Sequence, residues 1–285
     1  MHRDLLSPAG SDAFDFSSPA GEPALVPHDS ITWRIFRNPV TLFIGGVAAV
    51  LLELAEPRVR HGVWDNSSFR EDPMERLKRT GLAAMISVYG PGSAARAMIG
   101  QINRVHTRIS GSTSSGEPYR ADDPELLRWV HTTASFGFVE AYRAFGGRLS
   151  GEQLDTYYAE VAPVAELYGA VDAPQSEAER VSLFYTMQPR LEPAAAIAEF
   201  LHIMERVPAL PRAARSAQKL LIDAAVDILP LEVSSLLRLQ DRRLRSWERP
   251  LVKALGTTAS RLLLRSSPAV QACRRLGLSD DWLYV

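Results

Sequence analysis

The sequence predicts an all-α protein with a single multi-helix domain. Apolar residues recur at helical spacing in segments that prolines and glycines separate along the 285 residues. No stretch alternates β-branched and polar residues with a period of two, so we expect little or no sheet. No repeat of fixed period is present, and no linker divides the helical part. We therefore predict roughly ten helices in one domain at residues 29–285, preceded by a flexible N-terminal arm at residues 1–28 that is rich in Ser, Pro and Gly.

Capping residues and breakers give the expected helix boundaries. A start is indicated where an Asp, Asn or Ser cap precedes proline or glycine, and an end where glycine or proline follows an apolar turn. Residues 58–71 and 111–123 contain polar and turn residues and are expected to be loops. On this basis we expect helices, after a helical start at Ser30, over about 39–56, 73–89, 93–109, 124–145, 151–169, 176–187, 192–206, 211–228, 231–245, 249–265 and 268–276.

Composition and charge exclude several classes of protein. The 32 basic and 33 acidic residues give a formal net charge of -1, which provides no field to attract nucleic acid. The single cysteine, Cys273, excludes an internal disulfide, a cysteine zinc cluster and the paired cysteines of c-type haem attachment. We therefore expect no nucleic-acid partner.

The longest apolar run follows Asn38-Pro39 and covers residues 40–52. It is too short to span a bilayer, and Glu53 follows it directly. We interpret it as a buried core helix; the alternative is a patch that dips into a membrane surface or lines an apolar channel. The N-terminal residues lack the apolar region of a signal peptide. We accordingly expect a cytoplasmic protein with no transmembrane segment.

Histidines are the remaining candidate ligands, because the sequence contains no P-loop, GxGxxG, GxSxG or HExxH motif. A lone histidine on a helix is more often a hydrogen-bonded packing residue than a ligand. A b-type haem nevertheless needs only one neutral imidazole nitrogen on its iron. The six histidines are His2, His28, His61, His106, His131 and His202.

A basic pair lies where a predicted helix enters the core. Arg76, Arg79 and Thr80 share one helix face because offsets of three and four residues align. The residues that follow, LAAMISVY, are strongly apolar. The pair is either a solvated basic face or a site that binds a carboxylate, such as a haem propionate, or steadies a bound oxygen species.

A second histidine lies in the segment Trp129-Val130-His131-Thr132-Thr133. Small residues and aromatic residues alternate around it at helical spacing, which would let a flat ligand approach the helix closely. Ordinary helix packing explains most of the same pattern.

Three segments in this order resemble a known family: ERLKRTG at 75–81, NRVHTRISG at 103–111 and DDPELLRWVHTT at 122–133. The family includes the latex-clearing rubber oxygenases and a membrane-bound oxygenase of mycophenolic acid biosynthesis. The resemblance covers about residues 30–250. It implies a mostly helical, globin-like fold with a buried b-type haem.

The resemblance also implies roles for individual residues. His106 matches the proximal iron ligand, and it is therefore the expected metal ligand. Arg76 and Thr80 match residues that support the haem pocket, and His131 is expected to be a further pocket residue. The distal lysine of the rubber oxygenases falls at Arg79, and arginine is a poor iron ligand because it keeps its proton. Arg76, Arg79 and Thr80 are the expected catalytic residues, and a lysine-capped resting state is not expected.

The function that follows is a haem b-dependent oxygenase, which activates dioxygen on a hydrophobic small molecule such as an unsaturated lipid or an isoprenoid. Without an export signal, extracellular rubber is not an expected substrate. Two alternatives stay open: a non-enzymatic helical protein that binds haem or lipid, and a cofactor-free enzyme of the same fold. A homodimer is the default expectation for such a domain.

Overall fold

Helices build almost all of the protein in the computed structural model, which describes residues 14–66, 68–210 and 212–284. The all-α class is therefore confirmed. In these residues thirteen α-helices follow one another as α1 Ile31–Phe36, α2 Pro39–Ala55, α3 Pro57–Trp64, α4 Pro73–Tyr89, α5 Gly92–His106, α6 Pro124–Ala141, α7 Gly151–Leu167, α8 Glu177–Met187, α9 Ala195–Arg206, α10 Gln218–Asp227, α11 Leu231–Leu236, α12 Glu248–Ala259 and α13 Pro268–Arg275. A π-helical turn, Tyr142–Gly146, extends α6.

The predicted caps begin the helices that matter most for the site. Asn38 accepts hydrogen bonds from two backbone amides of α2, at 3.1 and 3.2 Å. Asp72 accepts one from the first turn of α4 at 3.2 Å, and Asp123 accepts one from α6 at 2.8 Å. Proline follows each cap, where its missing N–H costs no hydrogen bond.

The expected loop at residues 58–71 is wrong in its first half, where α3 forms. Pro57 both ends α2 and occupies the first position of α3, and the axes of the two helices differ by 113°. Glu56, at the bend, accepts a hydrogen bond from the Val59 amide at 2.8 Å and so caps α3. The second expected loop contains a short antiparallel hairpin, with β1 at Ser110–Ser112 and β2 at Pro118–Arg120.

Helix α2 lies at the centre of the larger core, where it contacts α3, α6, α9, α10 and α12. Its closest neighbour is α6. A Cβ atom on Gly45 would lie 2.7 Å from the carbonyl oxygen of Gly137, so the two backbones are in direct contact. Most residues of α2 are buried, as expected of a core helix. No single helix in the described part of the chain is long and apolar enough to cross a bilayer; α2 and α3 reach that length and composition only as a bent pair.

A second core joins both ends of the described chain to α1, α4 and α7. Arg275 of α13 is 2% exposed and donates hydrogen bonds to three carbonyl oxygens, those of Phe16 at 2.6 Å, Glu22 at 2.8 Å and Tyr89 at 2.7 Å. We name this arrangement the arginine clasp. Of the predicted arm, residues 14–28 are packed in this way, with Phe16 and Val26 buried. Residues 1–13 lie outside the described residues, and a single domain at residues 29–285 stays a prediction.

Candidate functional site

The first half of α4 stands beside α2 without packing closely on it. Helix α4 packs mainly against α1, α5 and α13. A Cβ atom on Gly46 of α2 or on Gly81 of α4 would meet no other atom within 4 Å. Gly46 lies in the middle of the core helix, and Glu53 follows it by two helical turns on the same face. The structure therefore leaves room for a further group beside Gly46 on this face of α2.

Arg76 of α4 is held by its own helix beside that face. Its Nη1 donates to Thr80 Oγ1 at 3.0 Å, and Thr80 Oγ1 donates to the Arg76 carbonyl oxygen at 2.9 Å. Burial lowers the pKa of Arg76, the charge of Arg79 lowers it further, and Glu53 opposes both. An arginine side chain stays protonated even so. Thr80 thus fixes the direction of a half-buried cation.

Arg79 adds a second cation with an unused donor. Its side chain is half-buried, and its Nε has no hydrogen-bond partner within the described residues. Buried donors are normally paired in folded proteins. Two neighbouring guanidinium groups, one of them with a free buried N–H, are suited to bind an anionic group such as a carboxylate.

His106 ends α5, the helix that follows α4 after the Gly90–Gly92 break. Its Nδ1 is buried and has no hydrogen-bond partner among the residues described. Burial lowers the pKa of His106, the Arg76 charge lowers it further, and Asp122 opposes the change. The lowered pKa favours the neutral imidazole, which is the form that binds iron. Asp122 is itself held by two hydrogen bonds from Arg120, at 2.9 and 2.8 Å.

His131 is placed differently from His106. It lies in the middle of α6, where its Nε2 is 3.1 Å from Ser135 Oγ, and burial lowers its pKa to about 4. No contact or electrostatic interaction of the described residues joins His131 to Arg76 or His106. The structure thus brings together Arg76, Arg79, Thr80 and His106 of the predicted site residues, and it does not link His131 to them.

The other histidines are engaged elsewhere or exposed. His61, expected in a loop, lies on α3; its Nδ1 is 2.7 Å from Asp65 Oδ2, and its Nε2 accepts from the Ser114 amide at 3.2 Å. His202 is exposed, with its Nε2 3.4 Å from Arg206 Nη1. His2 lies outside the described residues.

Glu53, in the last turn of α2, is the residue of this site that the sequence did not reveal. Burial raises its pKa to about 7, and the Arg76 charge opposes the rise. A signal was present: a carboxylate near a helix C-terminus is unfavourable with the helix dipole and seldom ends an apolar run without a purpose. Glu53 is therefore a carboxyl with a raised pKa that interacts with Arg76.

Replacement of Glu53 by Gln is expected to change how stability depends on pH. The folded protein holds the Glu53 proton more tightly than the unfolded chain, whose carboxyl has a pKa near 4.5. Wild-type stability should therefore fall as the pH rises from 4.5 towards 7, by at most about 3 kcal/mol. Glu53→Gln should remove that fall, so that the variant is the more stable protein at pH 8. Urea unfolding between pH 4.5 and 8 measures this.

The control for that experiment is Glu75→Gln, because Glu75 is exposed in the first turn of α4. Its stability should follow the wild-type curve across the pH range. A slope that persists unchanged in Glu53→Gln would show that another group causes it.

The residues at this site fit a haem group better than a directly bound metal ion. Within the described ranges, no three His, Cys, Asp or Glu side chains are grouped so that they could hold a metal ion. To bind a haem, a protein must supply one ligand to the iron, apolar pocket walls and groups that pair with the propionates. The neutral His106 imidazole, the apolar face of α2 around Gly46, and the Arg76–Arg79 pair provide these.

Comparison with known proteins agrees with the segments noted in the sequence. Residues 33–261 match the family model described as ER-bound oxygenase mpaB/B'/Rubber oxygenase, catalytic domain. Two curated relatives are the uncharacterized proteins Rv2237 of Mycobacterium tuberculosis and Mb2261 of Mycobacterium bovis. Each is 28% identical over 115 residues, which are 39% of this chain and 45% of the relative. No solved structure matches the chain significantly.

Proposed function

Because the chain belongs to the mpaB/B' and rubber oxygenase catalytic-domain family, we propose that it is a haem b-dependent oxygenase of a hydrophobic small molecule. A lipid or an isoprenoid-like alkene is the substrate class we favour. The observation that carries the proposal is the His106 imidazole, whose buried Nδ1 lacks a partner beside the half-buried Arg76. When bound, the haem would supply the activation of dioxygen at its iron.

In this proposal His106 would hold the haem through its iron. Its lowered pKa keeps the imidazole neutral, so no proton competes for the ligating nitrogen. The nearby Arg76 charge reinforces the neutral state. His131, whose pKa is also lowered, is a wall residue of the pocket in this proposal and not the ligand, because its Nε2 is engaged with Ser135.

Arg76 and Arg79 would bind the haem propionates. Thr80 contributes by orienting Arg76 through the hydrogen bond between their side chains. Arg79 offers its unpaired Nε in place of the lysine that rubber oxygenases have at this position. Arginine cannot release a proton to become an iron ligand, so no side chain at position 79 competes for the iron.

Glu53 is proposed to hold or release a proton beside Arg76 during the reaction. With a pKa of about 7 its carboxyl is present in both protonation states near neutral pH, which suits a general acid or base. A Cβ atom on Gly46, two turns before Glu53 on the same face of α2, would meet no other atom within 4 Å, which leaves room beside that face. Arg76 limits the rise in the Glu53 pKa and so keeps the carboxyl titratable.

The purified chain, supplied with haemin if needed, tests the proposal. A Soret band and oxygen uptake that depends on an added apolar alkene are expected. A Soret band without uptake on a panel of unsaturated lipids and isoprenoids would favour the non-enzymatic haem-binding alternative. A protein that stays colourless after haemin addition would overturn the haem assignment and favour a cofactor-free enzyme. Cytoplasmic location and a homodimer stay predictions, which fractionation and mass measurement in solution can check.

Arg76→Ala should weaken haem retention. A charge-assisted hydrogen bond to a propionate contributes about 1.5–3 kcal/mol, so retention should fall by roughly ten- to hundredfold. The rate of haem transfer to apomyoglobin measures the effect. Lys78→Ala is the matched control, because Lys78 is exposed on the same helix. Equal transfer rates in the two variants would remove Arg76 from the haem site.

A further inference from the structure

An exposed apolar surface runs along α12. Trp247 is 60% exposed, Leu251 49% and Leu255 41%, and they recur at every fourth residue on one face of the helix. The opposite face carries Val252 and Ala259, which are buried in the protein body. The helix is therefore firmly attached on one side and presents apolar side chains to solvent on the other.

The surface continues beyond the end of the helix. The Ser260 amide donates to the Gly256 carbonyl at 3.0 Å, and the Leu262 amide donates to that of Ala259 at 3.2 Å, so the chain keeps turning. Three more exposed leucines, Leu262, Leu263 and Leu264, follow directly after this turn. We name the surface the α12 ridge; its members are Trp247, Leu251, Leu255, Leu262, Leu263 and Leu264, and all are at least 36% exposed. Soluble proteins usually scatter exposed apolar residues singly, and a group of them in one short segment indicates a surface that binds a partner or a membrane.

Cations flank the α12 ridge. Arg245 precedes Trp247, and Arg261 and Arg265 bracket the three leucines. All three arginines are exposed, and no guanidinium group of the three lies within 4 Å of a carboxylate in the described part of the chain; Asp280 interacts with Arg265 over a longer distance. Residues 242–265 contain seven Lys and Arg against the one acidic residue Glu248, in a chain whose total charge is nearly balanced.

We propose that the α12 ridge binds the surface of a membrane that contains anionic lipid. A helix with Trp and Leu on one face and arginines at its edges lies in the plane of the interface, with the apolar face among the acyl chains and the cations at the headgroups. Because the opposite face of α12 is packed into the protein body, binding of the ridge would hold the whole domain at the membrane as a peripheral protein. This inference goes beyond the proposed oxygenase function and does not depend on haem.

A second copy of the chain fits the α12 ridge less well. A twofold contact would bring the same surface of both copies together, and with it Arg245, Arg261 and Arg265 of each. Like charges at an interface oppose association. An anionic membrane complements both the apolar side chains and the charge, whereas a second ridge complements only the former.

Flotation of the full chain with lipid vesicles tests the proposal. The protein should float with phosphatidylcholine vesicles that contain about 30% phosphatidylglycerol, and less with phosphatidylcholine alone. The double variant Leu251→Ser/Leu255→Ser should bind at least about tenfold more weakly. The triple variant Arg245→Gln/Arg261→Gln/Arg265→Gln should lose the preference for phosphatidylglycerol. These positions are exposed, so the variants should fold as the wild type does.

Tyr185→Ser is the matched control, because Tyr185 is 73% exposed on α8, away from the α12 ridge. It should float as the wild type does. Wild-type protein that fails to float with either vesicle would overturn the proposal, and so would equal losses in Tyr185→Ser and the leucine variant. A wild-type dimer that the leucine variant converts to a monomer, without vesicle binding by either, would assign the ridge to self-association.

Discussion

His106→Ala is expected to abolish haem binding while leaving the helices intact. The proposed site offers the iron one neutral imidazole in the group around Arg76, and alanine offers no ligand atom. The ring is only half-buried at the end of α5, so its loss removes little core packing. The purified variant, supplied with haemin, should show no Soret band, and its far-ultraviolet circular dichroism should match that of the wild type.

Two further variants and one rescue make this result specific. His202→Ala should bind haem normally, because His202 is exposed on α9. His131→Ala should shift the Soret band without removing it. A His106→Gly variant should recover a Soret band on addition of free imidazole, which a merely unfolded protein would not do. Equal haem content in His106→Ala and the wild type would move the iron ligand to His131.

Gly45→Ala is expected to destabilise the protein more than the addition of one methyl group at any other position of α2. The added Cβ would lie 2.7 Å from the Gly137 carbonyl oxygen, and backbone atoms of two helices cannot rotate away as a side chain can. The helices must separate along their contact, at a cost of about 3 kcal/mol. Thermal or urea unfolding of purified protein would measure the difference.

The matched control is the adjacent residue. A Cβ on Gly46 meets nothing within 4 Å, and alanine is the better helix former, so Gly46→Ala should be neutral or more stable by up to about 1 kcal/mol. Two neighbouring glycines in one helix should therefore respond with opposite signs. Similar losses at both positions would mean that α2 and α6 do not touch through Gly45.

The sequence predicted the helices whose starts depend on local chemistry. Asn38, Asp72 and Asp123 each cap the helix that the following proline begins, and these interactions involve only neighbouring residues. Helix α3 was missed because Pro57 was interpreted only as the end of α2. Its start depends on Glu56, which signals a cap only once the bend between the two helices is known.

The sequence could predict those parts of the candidate site that depend on residues close to each other in the chain. Arg76 and Thr80 are four residues apart on one helix, and their hydrogen bond follows from that spacing. The interaction of Arg76 with His106 depends, in contrast, on how α4 and α5 lie on either side of the Gly90–Gly92 break. The raised pKa of Glu53 could not be predicted in this way, because it arises from burial by segments distant in sequence.

The arginine clasp has a consequence for where this protein can be cut. The region that matches the family model ends at residue 261, yet Phe16 and Arg275 lie outside it and meet at the end of α4. Deletion of the residues outside the matched region would remove Arg275, which donates a hydrogen bond to the Tyr89 carbonyl oxygen. It would also expose the face of α4 that the segments before residue 33 and after residue 261 cover. The same helix carries Arg76 and Thr80. Segments outside the matched region therefore hold in place the helix that carries the proposed haem-site residues. A fragment cut to that region would be expected to keep these residues but to hold them less rigidly.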